Sequence, residues 1–126
     1  MAEGTYAPGQ IKRVTPVAPI AANRFVDISG EQATVAGDPI MGVSMEAIAA
    51  GVPGPVIVSG SANIEADGVI ALGSWGATTQ EIMTDANGRA TAYVAGQTMA
   101  GLIYVASTGL GHVVELDIAK QAAPFA

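Results

Sequence analysis

The sequence predicts a mostly β protein, with one small, compact β-barrel or β-sandwich domain and an extended N-terminal arm. Val, Ile and Thr, which favour strands, are plentiful, whereas Leu and Lys, which favour helices, are scarce. The 16 glycines and 7 prolines interrupt the chain of 126 residues at short intervals, and such residues end helices and separate short strands. The chain is long enough to bury a core without disulfides, and it has no cysteine.

Residues 1–22 are predicted to form the arm, and residues 23–126 form the β domain. Three prolines, which favour extended backbone, lie in the arm, namely Pro8, Pro16 and Pro19. Residues 1–24 hold three basic side chains and one acidic one, a net charge of +2, whereas the remainder holds two basic and ten acidic ones, a net charge of -8. This asymmetry indicates an arm that contacts a surface of its own, and the alternative is a flexible tail without function.

Short extended stretches alternate with turn residues along the rest of the chain, as is typical of a barrel or a sandwich. They are predicted at residues 24–28, 33–36, 55–59, 68–72, 89–94, 102–106 and 112–118. In the last stretch every second residue is apolar, at Val114, Leu116 and Ile118. This period predicts a strand whose even-numbered side chains face the core.

A β-hairpin is predicted around residues 85–88, Asp-Ala-Asn-Gly, which separate residues 82–84 from residues 89–93. Asn-Gly readily adopts the left-handed backbone conformations that tight hairpin turns require. This turn is the clearest local element of the sequence.

One segment favours a helix. Ser44 can cap a turn or two over residues 45–50, where Ala favours helical geometry. Gly51 and Pro53 end the helix directly afterwards.

The residues offer little for catalysis, so the protein is predicted not to be an enzyme. A serine nucleophile usually needs a histidine base, and the single histidine, His112, lies in phase with Val114 and Leu116, which favours packing. No serine lies in a Gly-x-Ser-x-Gly motif. A hydrolase that uses His112 is a third hypothesis, and turnover that is lost in His112→Ala would support it.

No cofactor or metal site is predicted. One imidazole and no thiolate exclude the usual zinc ligand sets, which leaves oxygen ligands for a hard cation. Glu65 and Asp67 can share one face of an extended segment, and Asp85 and Asn87 resemble two positions of a calcium loop. Both pairs are more simply turn residues.

Nucleic acid and membranes are not expected partners. Phosphate binding needs clustered Lys and Arg, and the chain has 5 such residues. No uninterrupted apolar run reaches the roughly 18 residues of a membrane span. Charged residues make up 13% of the chain, which is low for a domain that stays solitary, so association with other copies or partners is expected.

Trp75 lies between Ser74 and Gly76 in a loop flanked by glycines. An exposed aromatic ring can stack on a sugar or anchor an interface. Few polar side chains surround it in sequence, which favours packing or an interface. The alternative function is a β-rich adhesion or carbohydrate-binding module displayed on a virion, and loss of glycan binding in Trp75→Ala would support it.

Glycine steps followed by short β runs occur in three stretches of the chain. They are residues 36–43 (Ala-Gly-Asp-Pro-Ile-Met-Gly-Val), residues 49–51 with 56–60, and residues 101–106 leading through Gly109 to residues 114–116. On these stretches the chain resembles the small capsid decoration, or cement, proteins of tailed bacteriophages. The resemblance covers most of the chain after the arm, although Gln97 stands where a second Gly-Asp step is expected.

The resemblance implies a non-enzymatic structural protein that stabilises a phage capsid by binding its outer surface, with the major capsid protein as partner. It also implies a homotrimer, a location on the virion and synthesis in the host cytoplasm. The N-terminal arm is commonly the docking element of this family. The capsid-docking residues expected in this arm are Tyr6, Ile11, Lys12, Arg13, Val14 and Val17, and Trp75 is a candidate interface residue. Removal of residues 2–20 is expected to abolish attachment and leave the β body folded.

Overall fold

The computed structural model describes residues 9–73 and 79–119, and within these ranges the chain is all β with no helix. The strands are β1 Ile11–Val14, β2 Phe25–Asp27, β3 Ile40–Ser44, β4 Gly54–Ile57, β5 Ser61–Glu65, β6 Val69–Ile70, β7 Gln80–Thr84, β8 Ala90–Ala92, β9 Gly101–Ile103, β10 Ser107–Thr108 and β11 Val113–Ile118. The predicted fold class, a small compact β domain, is confirmed.

The strands form two antiparallel sheets and one short ribbon. The four-stranded sheet has the order β1-β4-β3-β2 and is curled into a half-barrel. The five-stranded sheet has the order β5-β11-β9-β7-β8. In the part of the chain that the structure describes, the ribbon pairs β6 with β10 alone.

The main core receives apolar side chains from both sheets and from the ribbon. Its larger members include Phe25, Val43, Ile57, Ile64, Ile70, Ile82, Ile103 and Leu116. Along β11, Val114 and Leu116 are buried, whereas Val113 and Asp117 are exposed. The predicted inward face of this strand is therefore confirmed.

A second apolar cluster covers the opposite face of the four-stranded sheet. Neighbouring residues of β4 divide between the two cores, because Val56 belongs to the second cluster and Ile57 to the main core. Ile20 and Ile48 complete the second cluster from two loops. Their backbones exchange two hydrogen bonds, from the Ile20 N–H to the Ile48 oxygen at 2.9 Å and back at 2.8 Å. The two central strands of this sheet, β3 and β4, are thus covered on both faces.

Residues 45–50 form no helix, so the helix predicted there is wrong. Ile48 instead bridges Ile20, and the Met45 N–H donates to the Pro55 oxygen at 3.4 Å. A helix this short gains little from propensity alone, since nucleation is costly. Burial of Ile48 therefore decides the conformation.

Most of the predicted extended stretches contain a strand. Strands occur within or across residues 24–28, 55–59, 68–72, 89–94, 102–106 and 112–118. The stretch 33–36 is not a strand, although the Ala33 N–H donates to the Phe25 oxygen at 3.0 Å and its side chain is buried. Strands β3, β5 and β10 were not predicted.

The predicted hairpin is confirmed, with β7 and β8 paired from Ile82↔Ala92 to Thr84↔Ala90. One carboxylate oxygen of Asp85 accepts the N–H groups of Asn87 at 2.8 Å and Arg89 at 2.7 Å. Gly88 supplies the left-handed residue, with a φ of 75°. The Asp85 carboxylate and the left-handed backbone of Gly88 thus fix the conformation of this turn.

Both ends of the described chain lie beside the loop between β4 and β5. The Gly9 N–H donates to the Ser59 oxygen at 2.9 Å, and the Ile118 N–H donates to the Gly60 oxygen at 2.9 Å. The start of the described arm and the last strand therefore lie next to each other.

Candidate interaction surfaces

The described part of the arm forms an edge strand of the body. β1 pairs antiparallel with β4, from Ile11↔Ile57 to Val14↔Gly54. The Gln10 N–H adds a hydrogen bond of 2.7 Å to the Ser59 hydroxyl. From Gln10 to Val14, the arm is thus held along β4.

The arm contributes to a core, which argues against the expectation that removal of residues 2–20 leaves the β body folded. Ile20 is 1% exposed in the second cluster, against which Val14 also packs. The Glu31 carboxylate accepts hydrogen bonds from the N–H groups of Val17 at 2.7 Å and Ala18 at 3.2 Å. These bonds hold the loop between β1 and β2. The boundary at residue 22 itself stays a prediction.

Four of the predicted docking side chains lie at the surface. Ile11, Lys12 and Arg13 are exposed on β1, and Val17 is 87% exposed in the loop that follows. Lys12 and Arg13 form no ion pair or side-chain hydrogen bond within residues 9–73 and 79–119. Val14 is half-buried. Tyr6 and Trp75 lie outside the described residues, so their proposed roles stay predictions.

Among the described strands, β1 lies at an edge of the four-stranded sheet, with no strand paired to its outer side. The Val58 N–H donates to the Gln10 oxygen at 2.9 Å. Because hydrogen-bonding groups alternate along an antiparallel strand, the backbone groups of Ile11 and Arg13 point away from β4. An edge of this kind can accept a further strand, and its charges restrict which strand it accepts. We call β1 with its exposed side chains the basic edge.

Two other basic residues are engaged inside the molecule. The Arg89 Nε lies 2.9 Å from one Glu65 carboxylate oxygen, and the Arg24 Nε lies 3.5 Å from the other. Arg24 also donates to the Asn87 oxygen at 3.0 Å, which ties β2 and β5 to the hairpin turn. Burial raises the pKa of Glu65. The hydrogen bond from Arg89 and the positive charges of Arg24 and Arg89 lower the pKa by more than burial raises it, so it lies below its ordinary value.

Both oxygens of the Glu65 carboxylate thus lie against guanidinium groups. No group of three or more His, Asp or Glu side chains in residues 9–73 and 79–119 is arranged to hold a metal ion. A cavity of about 420 Å³ beside Ala18 and Pro19 contains Asp27 and Glu31, but both carboxylates accept backbone N–H groups.

Asp67 lies against Asp85 of the hairpin turn. Burial raises the pKa of Asp67, and the negative charge of Asp85 and a hydrogen bond with it raise the pKa further. The fold thus favours the protonated form of Asp67, and its contribution to stability is lost as pH rises through the raised pKa. Glu65 behaves in the opposite sense, because its contribution is lost as pH falls through its lowered pKa.

Asp67→Asn is expected to stabilise the protein at neutral pH, because it removes a repulsion between two carboxylates. The melting temperature should rise by about 1–3 °C at about pH 7, a small shift because the site is partly exposed and screened. The gain should vanish at about pH 3, where the native carboxyl is protonated. Asp38→Asn changes the net charge equally and is the control. An equal rise in both variants would contradict the assignment.

His112 holds a turn and does not pack in the core as predicted. It precedes β11 and is half-buried, and its Nδ1 accepts the Thr108 N–H at 3.1 Å. A ring nitrogen engaged by the backbone is not free to act as a general base, so this contact gives no support to the hydrolase hypothesis.

One exposed apolar surface was missed by the sequence predictions. On the ribbon, Val69 is 75% exposed, and Leu110 in the adjoining turn is 68% exposed. The signal was present in the sequence, because residues 68–80 and 93–114 contain no Asp, Glu, Lys or Arg. The segments that contain Val69 and Leu110 therefore supply no Asp, Glu, Lys or Arg side chain of their own beside them.

Comparison with models of protein families and with curated proteins finds no match for this chain. Among residues 9–73 and 79–119, no helix is long and apolar enough to cross a membrane. The assignment of a function therefore depends on the surfaces of this chain alone.

Proposed function

We propose that this chain is a non-enzymatic decoration, or cement, protein that binds the outer surface of a phage capsid through the major capsid protein. The basic edge carries the proposal. It is a positively charged strand at an open sheet edge, on a chain whose net charge is -6. A site of this kind suits a protein partner with an acidic, extended segment.

Strand addition supplies affinity, and the side chains of the edge supply selectivity. The outward backbone groups of Ile11 and Arg13 can pair with a coat-protein strand. Lys12 and Arg13, which have no partner among the described residues, can then pair with carboxylates of the coat protein. Val17 adds an apolar contact next to the edge.

Self-association as a homotrimer is part of the proposal. A trimer presents three basic edges to a symmetric capsid surface, so weak contacts multiply through effective concentration. Many copies bridging neighbouring coat subunits would stabilise the shell, and the bound protein would belong to the virion surface after synthesis in the host cytoplasm.

Co-sedimentation with empty, expanded capsids that lack the protein tests this function. Lys12→Gln with Arg13→Gln should bind at least about tenfold more weakly than the native chain, and the loss should be larger at low salt because exposed charges are screened. Ala49→Glu with Ala50→Glu, which makes the same change in net charge at an exposed loop, should bind like the native chain. Circular dichroism checks that all three proteins fold.

Failure of the folded native chain to sediment with capsids overturns the proposal. If the Lys12 and Arg13 variant binds capsids as tightly as the native chain, the basic edge is not the surface that binds the capsid. Point variants are required because deletion of the arm removes a strand and a core side chain.

A further inference from the structure

We propose that Asn87 is a site of spontaneous deamidation, and that hydrogen bonds from Arg24 and Gln32 slow this reaction in the folded chain. Asn87 precedes Gly88 in the turn between β7 and β8, and its side chain is exposed. The inference concerns a covalent modification and goes beyond the proposed function, since it uses no residue of the basic edge.

Deamidation of an asparagine begins with attack by the backbone nitrogen of the next residue. The Gly88 nitrogen, once it has lost its proton to hydroxide, forms a bond to the side-chain carbonyl carbon of Asn87. The bond from that carbon to the side-chain nitrogen breaks, and the nitrogen leaves as ammonia with a proton from water. Water then opens the five-membered ring at either of its carbonyl groups, which leaves aspartate or isoaspartate. The reaction consumes water and needs no oxidant or reductant.

Asn87 is the one asparagine of three that precedes a glycine. Asn23 precedes Arg24, and Asn63 precedes Ile64. A side chain on the following residue hinders the approach of its nitrogen to the asparagine, whereas glycine has no Cβ. The sequence therefore favours reaction at Asn87 over the other two positions.

The reacting groups are accessible, but the turn does not hold them in the geometry of the ring. The Asn87 side-chain amide has no hydrogen-bond partner among the residues that the structure describes, and the Gly88 N–H makes only a long bond of 3.4 Å to the Asp85 oxygen. Asn23 is the one described non-glycine residue with a positive φ, so Asn87 is the third residue of a type I turn, where ψ is about 0°. Because the five-membered ring requires a ψ far from this value, the peptide between Asn87 and Gly88 must rotate first.

Three hydrogen bonds oppose this rotation. The Asn87 oxygen accepts hydrogen bonds from the Arg24 Nη1 at 3.0 Å and the Gln32 Nε2 at 3.1 Å. The Gly88 oxygen accepts one from the Phe25 N–H at 2.7 Å. Rotation of the peptide moves the Asn87 oxygen away from both of its donors, so the reaction requires a local opening of the turn. The same bonds join the β7–β8 hairpin of the five-stranded sheet to β2 of the four-stranded sheet.

Isoaspartate at position 87 would weaken this connection between the sheets. In isoaspartate the main chain runs through the former side-chain carbonyl, which adds one carbon atom to the backbone of the turn. The carbonyl oxygen of residue 87 is then displaced from Arg24 and Gln32. We therefore expect the isoaspartate form to be less stable than the native chain.

Peptide mapping by mass spectrometry, during incubation in a mildly alkaline buffer at physiological temperature, tests the inference. The native chain should convert at Asn87 and stay unchanged at Asn23 and Asn63. Gln32→Ala should convert roughly two to ten times faster, because the loss of one hydrogen bond shifts a local opening equilibrium by about this factor. Gln10→Ala, at an exposed position of the arm, is the control and should convert at the native rate.

The stability of the product is a second measurement. The deamidated chain, isolated by ion-exchange chromatography and mapped for isoaspartate, should melt at least about 4 °C below the native chain. Asn87→Asp has the same added charge on a backbone of normal length, so it should melt within about 2 °C of the native chain. A deamidated chain that melts like the native one would show that the turn does not connect the sheets as proposed.

Absence of conversion at Asn87, or equal conversion at the three asparagines, overturns the inference. A folded Gln32→Ala variant that converts at the native rate also overturns it, and circular dichroism establishes the fold. If this variant does not fold, Gln32→Glu decides the matter by the same mapping. It keeps the oxygen that accepts the Ala21 N–H at 2.9 Å and removes the donor to the Asn87 oxygen.

Discussion

A variant that lacks residues 2–20 is expected to lose most of its stability. The deletion removes β1 from the four-stranded sheet and removes Ile20, which is 1% exposed, from the second cluster. Loss of one buried Ile side chain alone costs about 2–5 kcal/mol. Since small domains are stable by only about 5–15 kcal/mol, the truncated chain should be largely unfolded at physiological temperature.

Ile20→Ala isolates the core contribution of the arm from its strand pairing. We expect a loss of about 2–5 kcal/mol in the free energy of unfolding, measured by urea denaturation. Val17→Ala, three residues earlier and 87% exposed, should change it by less than about 0.5 kcal/mol. If the truncated chain is as stable as the native chain, or if the two substitutions have equal effects, the arm does not contribute to the free energy of unfolding as proposed.

Gly42→Ala is expected to have an effect of similar size, although it adds only a methyl group. A Cβ at Gly42 would run into the backbone carbonyl oxygen of Ile57 and would lie 2.9 Å from the Val56 Cγ1. Neither neighbour can move freely, because β3 and β4 are paired and buried on both faces. We expect a loss of about 3 kcal/mol or more, the upper range for overpacking a core.

Gly68→Ala is the matched control for this substitution. A Cβ at Gly68 meets no atom within 4 Å, and its φ is outside the left-handed region. Its free energy of unfolding should stay within about 0.5 kcal/mol of the native value. Native stability in Gly42→Ala would mean that β3 and β4 are farther apart than described.

The sequence predicted strands correctly where one face of a strand is buried and the other is exposed to solvent. β11 shows this alternation, and the Asp-Ala-Asn-Gly turn identifies its hairpin from local chemistry. β3 was missed because it is buried on both faces, so Ile40, Met41 and Val43 do not alternate with polar residues. Ile20 and Ile48 were missed because an isolated bridge between loops leaves no periodic pattern.

The sequence named Lys12 and Arg13 as docking residues of the arm, and the structure shows both side chains exposed, as docking would require. Their role in docking stays a prediction. Their attachment to β4 was not predictable, since nothing in four residues specifies a partner strand at residues 54–57.

The position of Gly9 and Ile118 beside Ser59 and Gly60 makes the molecule a candidate scaffold for display and for circular permutation. A peptide fused before Gly9 and another fused after Ala119 would project from the same side of the body, near the β4–β5 loop. A short linker between these positions would allow new termini elsewhere, for example at the exposed Gly51. In such a permutant, β1 would no longer be near the N-terminus of the chain, although it would keep its place at the edge of the sheet. Cargo attached at the new termini would then lie away from the β4–β5 loop.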